Sequence, residues 1–201
     1  MQEKTALVIG ATGLTGSHCL QYLLKSNLYS KVIKITRRHE NLKHDKLHER
    51  IVDFDKLEDY KTHFETDDVF CCLGTTIKKA GSQEAFRKVD FEYPYQVAKL
   101  ALENGAKRMF VITALGANAK SFVFYNKVKG EVENVMSELP FEAVHIFRPS
   151  LLLGKNNEVV LQVRNQWLKR FEQAGIFDKT SLQDALLEPL DAKRKSPPRL
   201  A

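Results

Sequence analysis

The chain has 201 residues, of which 43% are hydrophobic and 28% are charged, and its formal net charge is +6. This length suits one domain, and the composition is close to that of soluble globular proteins, which argues against a disordered or membrane-spanning class. Four positive charges, at Lys193, Arg194, Lys195 and Arg199, lie at the C-terminal end and leave about +2 for the rest, without the basic and aromatic clusters of nucleic-acid binders.

Location and redox state are also suggested by the composition. No apolar run approaches the roughly 18 residues of a membrane-spanning helix, and the run near the N-terminus is too short for a signal peptide. We therefore expect a cytoplasmic protein without membrane contact.

The cysteines are Cys19, Cys71 and Cys72, an odd number with no histidine at metal-ligand spacing. We expect reduced core thiols and no metal site.

Short apolar runs alternate with segments of helical periodicity, a pattern typical of βαβ units around a parallel sheet. The predicted strands are residues 5–10, 31–36, 51–54, 68–73, 108–113 and 143–147. The predicted helices are residues 14–25, 92–104 and 124–138. This order predicts an α/β protein with a Rossmann-type, doubly wound parallel sheet of about six strands.

The pattern changes after Gly154, where no further strand is evident. We expect an NAD(P)-binding domain over residues 1–154 and a helical C-terminal extension over residues 155–191 that packs on it. Within the extension, residues 159–173 and 181–187 have helical patterns. The basic tail, residues 192–201, is expected to be disordered.

The first predicted strand ends in a glycine-rich turn, VIGATGLTGS. Small residues between a strand and a helix let the backbone approach a pyrophosphate, which binds the free N–H groups of the helix. The candidate ligands in this turn are Gly10, Thr12, Gly13, Leu14, Thr15 and Gly16. The alternative is a tight turn that only connects the strand to the helix.

Two arginines follow the second predicted strand, in the segment Thr36-Arg37-Arg38. About 20 residues after the glycine turn, a carboxylate would bind the ribose hydroxyl of NAD, whereas an arginine would bind the 2′-phosphate of NADP. The paired guanidinium groups therefore favour NADP(H), with a solvated basic pair as the alternative. Asp53, at the end of the third predicted strand, would accept a hydrogen bond from the adenine amino group or would simply begin a loop.

Further candidates follow the fourth and fifth predicted strands. Gly74 brings a second glycine to the carboxyl edge of the sheet, where the backbone would pass close to a ribose or would only turn. Tyr125 and Lys129 are four residues apart on one helical face, so the ammonium would lower the pKa of the phenol. Such a tyrosine exchanges a proton with a carbonyl or alcohol, and Thr113 would orient the substrate oxygen. The alternative for the tyrosine and lysine is an ordinary surface pair.

Several segments together resemble a known family: GATGLTG, SKVIKITRR, VDFDKLEDY, CCLGTT, YNKVKGEVE and FRPSLLLG. They are similar to the short-chain dehydrogenase/reductases, and more closely to the atypical branch of Tat-interacting-protein-like NADPH oxidoreductases. The resemblance implies that the glycine turn binds NADPH, with Tyr125 as proton donor or acceptor and Lys129 as its partner and ribose ligand. The further cofactor ligands it implies are Arg37, Arg38, Leu73, Gly74 and Leu152, the last through its backbone.

The chain departs from this family pattern in two places. Thr113-Ala114-Leu115-Gly116 stands where family members usually have paired serines before a Lys-Gly, and residues 155–201 do not resemble the longer C-terminal part that helps to enclose the substrate. We expect an NADP(H)-dependent oxidoreductase that moves a hydride between nicotinamide and a small carbonyl or alcohol. The alternative, which the altered C-terminal part favours, is a non-catalytic NADP(H)-binding regulatory module with a protein partner.

Overall fold

Six parallel strands form one sheet in the computed structural model, which describes residues 3–149 and Gly175. The strands are β1 (Lys4–Ile9), β2 (Tyr29–Thr36), β3 (Leu47–Ile51), β4 (Asp68–Cys71), β5 (Arg108–Ile112) and β6 (Ala143–Phe147). Their order is β3-β2-β1-β4-β5-β6, and each neighbouring pair is parallel. This is the strand order of doubly wound dinucleotide-binding folds, so the predicted Rossmann-type sheet is confirmed.

Helices connect most of the strands. They are α1 (Leu14–Lys25), α2 (Ile77–Ala80), α3 (Gln83–Arg87), α4 (Tyr93–Glu103) and α5 (Phe124–Glu138). A 3₁₀ segment, Phe54–Phe64, follows β3, and a π-helical turn, Lys88–Glu92, joins α3 to α4. The predicted helix over residues 92–104 is therefore the second half of a longer helical run that begins at Gln83.

The strand predicted over residues 51–54 is wrong, because β3 ends at Ile51. Asp53 instead accepts a hydrogen bond from the backbone N–H of Asp55, which starts the 3₁₀ segment. The real strand, LHERI, is an edge strand in which four of the five residues are half-buried. An edge strand tolerates polar residues because one side of it faces solvent. LHERI therefore lacks the continuous apolar run by which buried strands are recognised, and the strand was not predicted.

Two apolar layers cover the faces of the sheet. In β1, Ala6 and Val8 belong to the layer that contains α1, whereas Leu7 and Ile9 belong to the layer that contains α4 and α5. A strand buried on both faces needs apolar residues at successive positions, which explains the run ALVI. The sheet is thus doubly covered, and its carboxyl edge is where a ligand can reach it.

The three cysteines are buried and free, in agreement with the prediction of reduced core thiols. Burial raises the pKa of the Cys71 thiol to about 12. Because the thiolate is the reactive form, such a side chain acts as a small apolar core residue.

Some predictions concern residues outside the described part of the chain. These are the contact of Leu152 with the nicotinamide, the helical extension over residues 155–191 with its helices at 159–173 and 181–187, and the tail over residues 192–201. Within residues 3–149, none of the helices combines the length and the apolar character needed to cross a bilayer.

Candidate functional site

The predicted site residues that follow strands lie in a row along the carboxyl edge of the sheet. In sheet order they are Asp53 after β3, Arg37 and Arg38 after β2, the glycine turn after β1, Leu73 and Gly74 after β4, and Thr113 after β5. The direction of winding reverses between β1 and β4, which leaves the crevice where ligands bind in this type of fold. The fold therefore brings the residues that follow five of the strands to one edge of the sheet.

The glycine turn packs against backbone on two sides. Gly10 has a φ of 75°, and a methyl carbon built on it would lie 2.5 Å from the backbone of Cys72. A methyl carbon on Gly16 would lie 2.1 Å from the carbonyl oxygen of Gly10. Both separations are far below van der Waals contact, so a side chain at either position would force β4 or α1 away from the turn. The turn therefore needs glycine at both positions.

Backbone N–H groups at the start of α1 are suited to an anion. The helix begins after Gly13, which has no side chain to cap it, and the first turn contains no acidic residue. Thr12, Gly13 and Leu14 are exposed, and Thr15 is half-buried. Because the first N–H groups of a helix have no partner within it, a phosphate can satisfy them. The assignment of these residues to a pyrophosphate remains a prediction.

Arg37 and Arg38 are exposed and directly follow β2. The Thr36 hydroxyl donates a hydrogen bond to the carbonyl oxygen of Arg38, 3.1 Å away, and lies 3.4 Å from the backbone nitrogen of Arg38. In the part of the chain that the structure describes, neither guanidinium group forms an ion pair with a carboxylate. Their charge is therefore available to an anionic ligand, and the 2′-phosphate contact remains a prediction.

Asp53 and Leu73 have local roles in the fold. Asp53 is exposed, and its carboxylate caps the 3₁₀ segment through the N–H of Asp55, 3.0 Å away. This is the loop-starting alternative, and the contact with adenine remains a prediction. Leu73 is half-buried and packs against the core layer that contains α4 and α5. The backbone nitrogen of Leu73 lies 2.6 Å from a methyl carbon built on Gly10. The residues that follow β4 therefore pack directly against the glycine turn.

Lys129 is buried and forms an ion pair with Asp90, with 2.6 Å between Nζ and Oδ1. The other carboxylate oxygen of Asp90 accepts a hydrogen bond from the backbone N–H of Thr75 at 2.9 Å. Burial raises the pKa of Asp90 even though the Lys129 ammonium and the Thr75 N–H favour its charged form. A methyl carbon built on Gly74 would lie 3.8 Å from Nζ of Lys129, so the ammonium lies at the end of β4.

Tyr125 is half-buried at the start of α5, one helical turn before Lys129. Its ring packs against that of Phe86, with 5.4 Å between the ring centroids. Within residues 3–149, no hydrogen bond joins Tyr125 to Lys129, whose ammonium has Asp90 as its partner. The two residues share one helix as predicted, while their catalytic roles remain predictions.

Thr113 is buried directly after β5, and its hydroxyl donates a hydrogen bond to the carboxylate of Glu133 on α5. The same carboxylate accepts hydrogen bonds from Arg148, with 2.9 Å between Nε and Oε1. The hydrogen bonds that Arg148 donates to the Glu133 carboxylate raise the pKa of Arg148. Thr113, Glu133 and Arg148 thus join β5, α5 and the residue after β6. The role of Thr113 in orienting a substrate remains a prediction, and in this structure its hydroxyl points to Glu133.

Sequence reasoning missed Asp90 and Glu133. Asp90 lies in the π-helical turn, and nothing in the local pattern marks it as buried. Glu133 had a usable signal, because it follows Lys129 by four residues, as Lys129 follows Tyr125. The spacing places all three on one face of α5.

Solved structures of modest similarity share this fold. The enzyme WbmH of Bordetella bronchiseptica, crystallised with NAD⁺, matches with a TM-score of 0.63 and 16% sequence identity. The match covers 87% of this chain and 64% of that one, so this chain spans less than two thirds of the WbmH structure. At this identity the likeness establishes the fold alone.

Curated relatives of higher identity correct the predicted location. Protein FMP52, mitochondrial, of Lodderomyces elongisporus is 33% identical over 202 residues, which covers 94% of this chain and 82% of the relative. Relatives from Candida albicans and Kluyveromyces lactis have the same name. The expectation of a cytoplasmic protein is therefore wrong. It rested on the lack of a recognisable signal peptide, which says nothing about routes into or onto an organelle.

The family follows from two matches. The model of the NAD dependent epimerase/dehydratase family matches residues 6–121, from β1 past the end of β5. Protein HTATIP2 of Rattus norvegicus is 40% identical over 174 residues, which covers 85% of this chain and 70% of the relative. The chain therefore belongs to the NAD dependent epimerase/dehydratase family, as an atypical short-chain dehydrogenase/reductase.

Proposed function

We propose that the protein is an NADP(H)-dependent oxidoreductase that moves a hydride between nicotinamide and a small carbonyl or alcohol. The position of Lys129 carries the proposal. Its ammonium lies beside Gly74 at the end of β4, and β4 packs directly against the glycine turn. An extended dinucleotide can therefore contact the start of α1 with its pyrophosphate and α5 with its nicotinamide ribose.

The choice of NADP(H) rests on the first two residues after β2. The family description names NAD, and a ribose hydroxyl of NAD is usually bound by a carboxylate at this place. This chain has Arg37 and Arg38 there, both exposed. A guanidinium group presents a planar fork of donors that matches phosphate oxygens, so the pair supports recognition of a 2′-phosphate.

The residues of α5 support proton transfer at the substrate. Bound NADPH supplies the hydride to a carbonyl carbon. Tyr125 donates its phenolic proton to the carbonyl oxygen, and in the reverse direction accepts the proton of the alcohol. Asp90 holds Lys129 against the end of β4. From there the ammonium would donate hydrogen bonds to the ribose hydroxyls of the cofactor. This buried pair would keep the Lys129 ammonium in one position relative to the Tyr125 phenol when the cofactor binds.

A second candidate function is a non-catalytic NADP(H)-binding module that acts through a protein partner. The observation that favours it is the hydrogen bond from Thr113 to Glu133, because the hydroxyl expected to orient the substrate is engaged elsewhere. The names of the FMP52 relatives support a mitochondrial location for this chain under either function.

A screen of aldehydes, ketones and quinones with NADPH tests the catalytic proposal. We expect turnover by the wild type, followed by the absorbance of the reduced nicotinamide. Tyr125→Phe should lower kcat by roughly 10²- to 10⁴-fold, because the proton donor is lost. The Kd for NADPH should stay within about twofold of the wild type, since the phenol does not bind the phosphates.

Tyr95→Phe is the matched control, because Tyr95 is also half-buried but lies on α4. It should keep the kcat of the wild type. A Tyr125→Phe variant with normal kcat would contradict the assigned proton donor. Intact NADPH binding with no turnover of any compound in the screen would favour the regulatory module.

A further inference from the structure

Lys34 lies buried near the end of β2, three residues before the first of the paired arginines. The side chain of Lys34 is 0% exposed, and its Nζ donates to Oε2 of Glu40 at 2.6 Å and to Oε1 of Glu49 at 2.8 Å. Lys34 and Glu49 are direct neighbours in the register of β2 and β3. A buried ammonium needs a carboxylate partner, and through this contact Lys34 ties the turn at Glu40 to the sheet.

The end of the turn after β2 is fixed by this cluster. The backbone N–H of Glu40 donates to the carboxylate of Glu49 at 3.3 Å, and Nδ1 of His39 contacts the same carboxylate. At the other end, Thr36 hydrogen-bonds the backbone of Arg38. Hydrogen bonds therefore fix both ends of the segment between β2 and Glu40, which consists of Arg37, Arg38 and His39.

We infer that Glu40 is a positioning residue for cofactor selectivity, because the ion pair between its carboxylate and Lys34 holds the turn that presents Arg37 and Arg38 to the 2′-phosphate. This rests on the proposed use of NADP(H). Glu40 is acidic, and its charge repels a phosphate. Its contribution to NADPH affinity therefore comes from the position that it gives the turn, and this contribution outweighs the repulsion. A turn that is ordered before binding spares the two long arginine side chains part of the entropy cost of binding.

The role of Glu40 is separable from the stability of the fold. Its side chain is 45% exposed, and without it Lys34 still has Glu49, whose side chain is 14% exposed. Glu40→Gln therefore leaves the buried ammonium paired. Asp45 lies in the same connection between β2 and β3 and is also exposed. Within residues 3–149 it forms no hydrogen bond or ion pair, so Asp45→Asn removes a negative charge without releasing the turn.

Calorimetric titration of NADPH and NADH into the full chain tests the inference. The deciding result is whether the Kd for NADPH rises or falls when Glu40 is changed. If the charge of Glu40 were all that mattered, Glu40→Gln would bind NADPH more tightly than the wild type does, as Asp45→Asn should. If Glu40 positions the turn, Glu40→Gln should instead bind NADPH less tightly than the wild type does. We expect Glu40→Gln to raise the Kd for NADPH by roughly tenfold and to change the Kd for NADH by less than about twofold.

The Arg37→Ala/Arg38→Ala variant separates the two proposals. In that background Glu40→Gln should cause no further loss of NADPH affinity, because it acts only through the arginines. Unchanged or tighter NADPH binding by Glu40→Gln would overturn the inference alone. A double arginine variant that keeps its full NADPH preference would overturn both the cofactor assignment and the inference. An equal loss of NADPH and NADH affinity in Glu40→Gln would show general distortion and would also overturn it.

Discussion

Thr113 is the residue whose structural surroundings differ most from its predicted role. Its hydroxyl is buried and donates to Glu133, which is itself buried and bound to Arg148. A buried carboxylate needs its donors, since an unsatisfied polar group in the interior is costly. The hydroxyl therefore has a structural function that accounts for it without a substrate.

Thr113→Val tests whether stability or catalysis depends on this hydroxyl. The substitution keeps the branched shape and removes one donor from Glu133, so we expect the free energy of unfolding to fall by about 1–3 kcal/mol. Urea unfolding followed by circular dichroism measures this change. Thr62→Val is the control, because Thr62 is exposed in the 3₁₀ segment and should change the stability little.

A Thr113→Val variant with an unchanged urea midpoint and a large fall in kcat, on any compound that the wild type turns over, would contradict the structural role. That result would instead support a role for Thr113 in orienting the substrate. Sequence alone could not distinguish these cases. The hydroxyl was correctly placed at the carboxyl edge, but its partner Glu133 is 20 residues away and meets it only through packing.

Among the larger elements, the connection from β1 to α1 packs backbone closely against backbone. The sequence predicted it well, because the strand, the glycines and the helix are contiguous and each has its own local signal. The edge strand β3 was misplaced for the opposite reason. Its sequence LHERI has no apolar run, and only pairing with β2 defines it. The π-helical turn around Asp90 likewise depends on tertiary contacts.

Gly16→Ala tests the role of this connection in binding. The added carbon would lie 2.1 Å from the Gly10 carbonyl oxygen, so α1 must shift away from the turn. We expect the affinity for NADPH and for NADH to fall equally, by roughly tenfold, the equivalent of one lost hydrogen bond to a charged group. Their ratio should not change, because both cofactors have the same pyrophosphate.

Gly13→Ala is the graded control for this test. Its added carbon would lie 3.3 Å from the same oxygen, a contact that a small adjustment can relieve. We expect a loss of less than about threefold, or about 0.6 kcal/mol. Melting temperatures establish that both variants are folded. If Gly16→Ala bound NADPH as tightly as the wild type does, the start of α1 would not be the pyrophosphate site.

Across the whole molecule, parallel pairing brings the candidates that follow strands to one edge. Gly10, Arg38, Gly74 and Thr113 are far apart in sequence, yet each follows the carboxyl end of a strand. The sequence predicted this arrangement because a βαβ pattern brings those ends together. It did not predict the ion pairs that hold the side chains, between Asp90 and Lys129 or between Lys34 and Glu49. Those pairs join separate elements, and no local pattern records them.

We propose that this edge of the sheet binds NADP(H) through the glycine turn and recognises its 2′-phosphate with Arg37 and Arg38. The most direct test is calorimetric measurement of the Kd for NADPH and for NADH, on the wild type and on Arg37→Ala/Arg38→Ala. We predict that the wild type binds NADPH at least about tenfold more tightly and that the variant binds both cofactors with the affinity of wild type for NADH. Equal affinity of the wild type for the two cofactors, or a variant that still prefers NADPH, would contradict the claim.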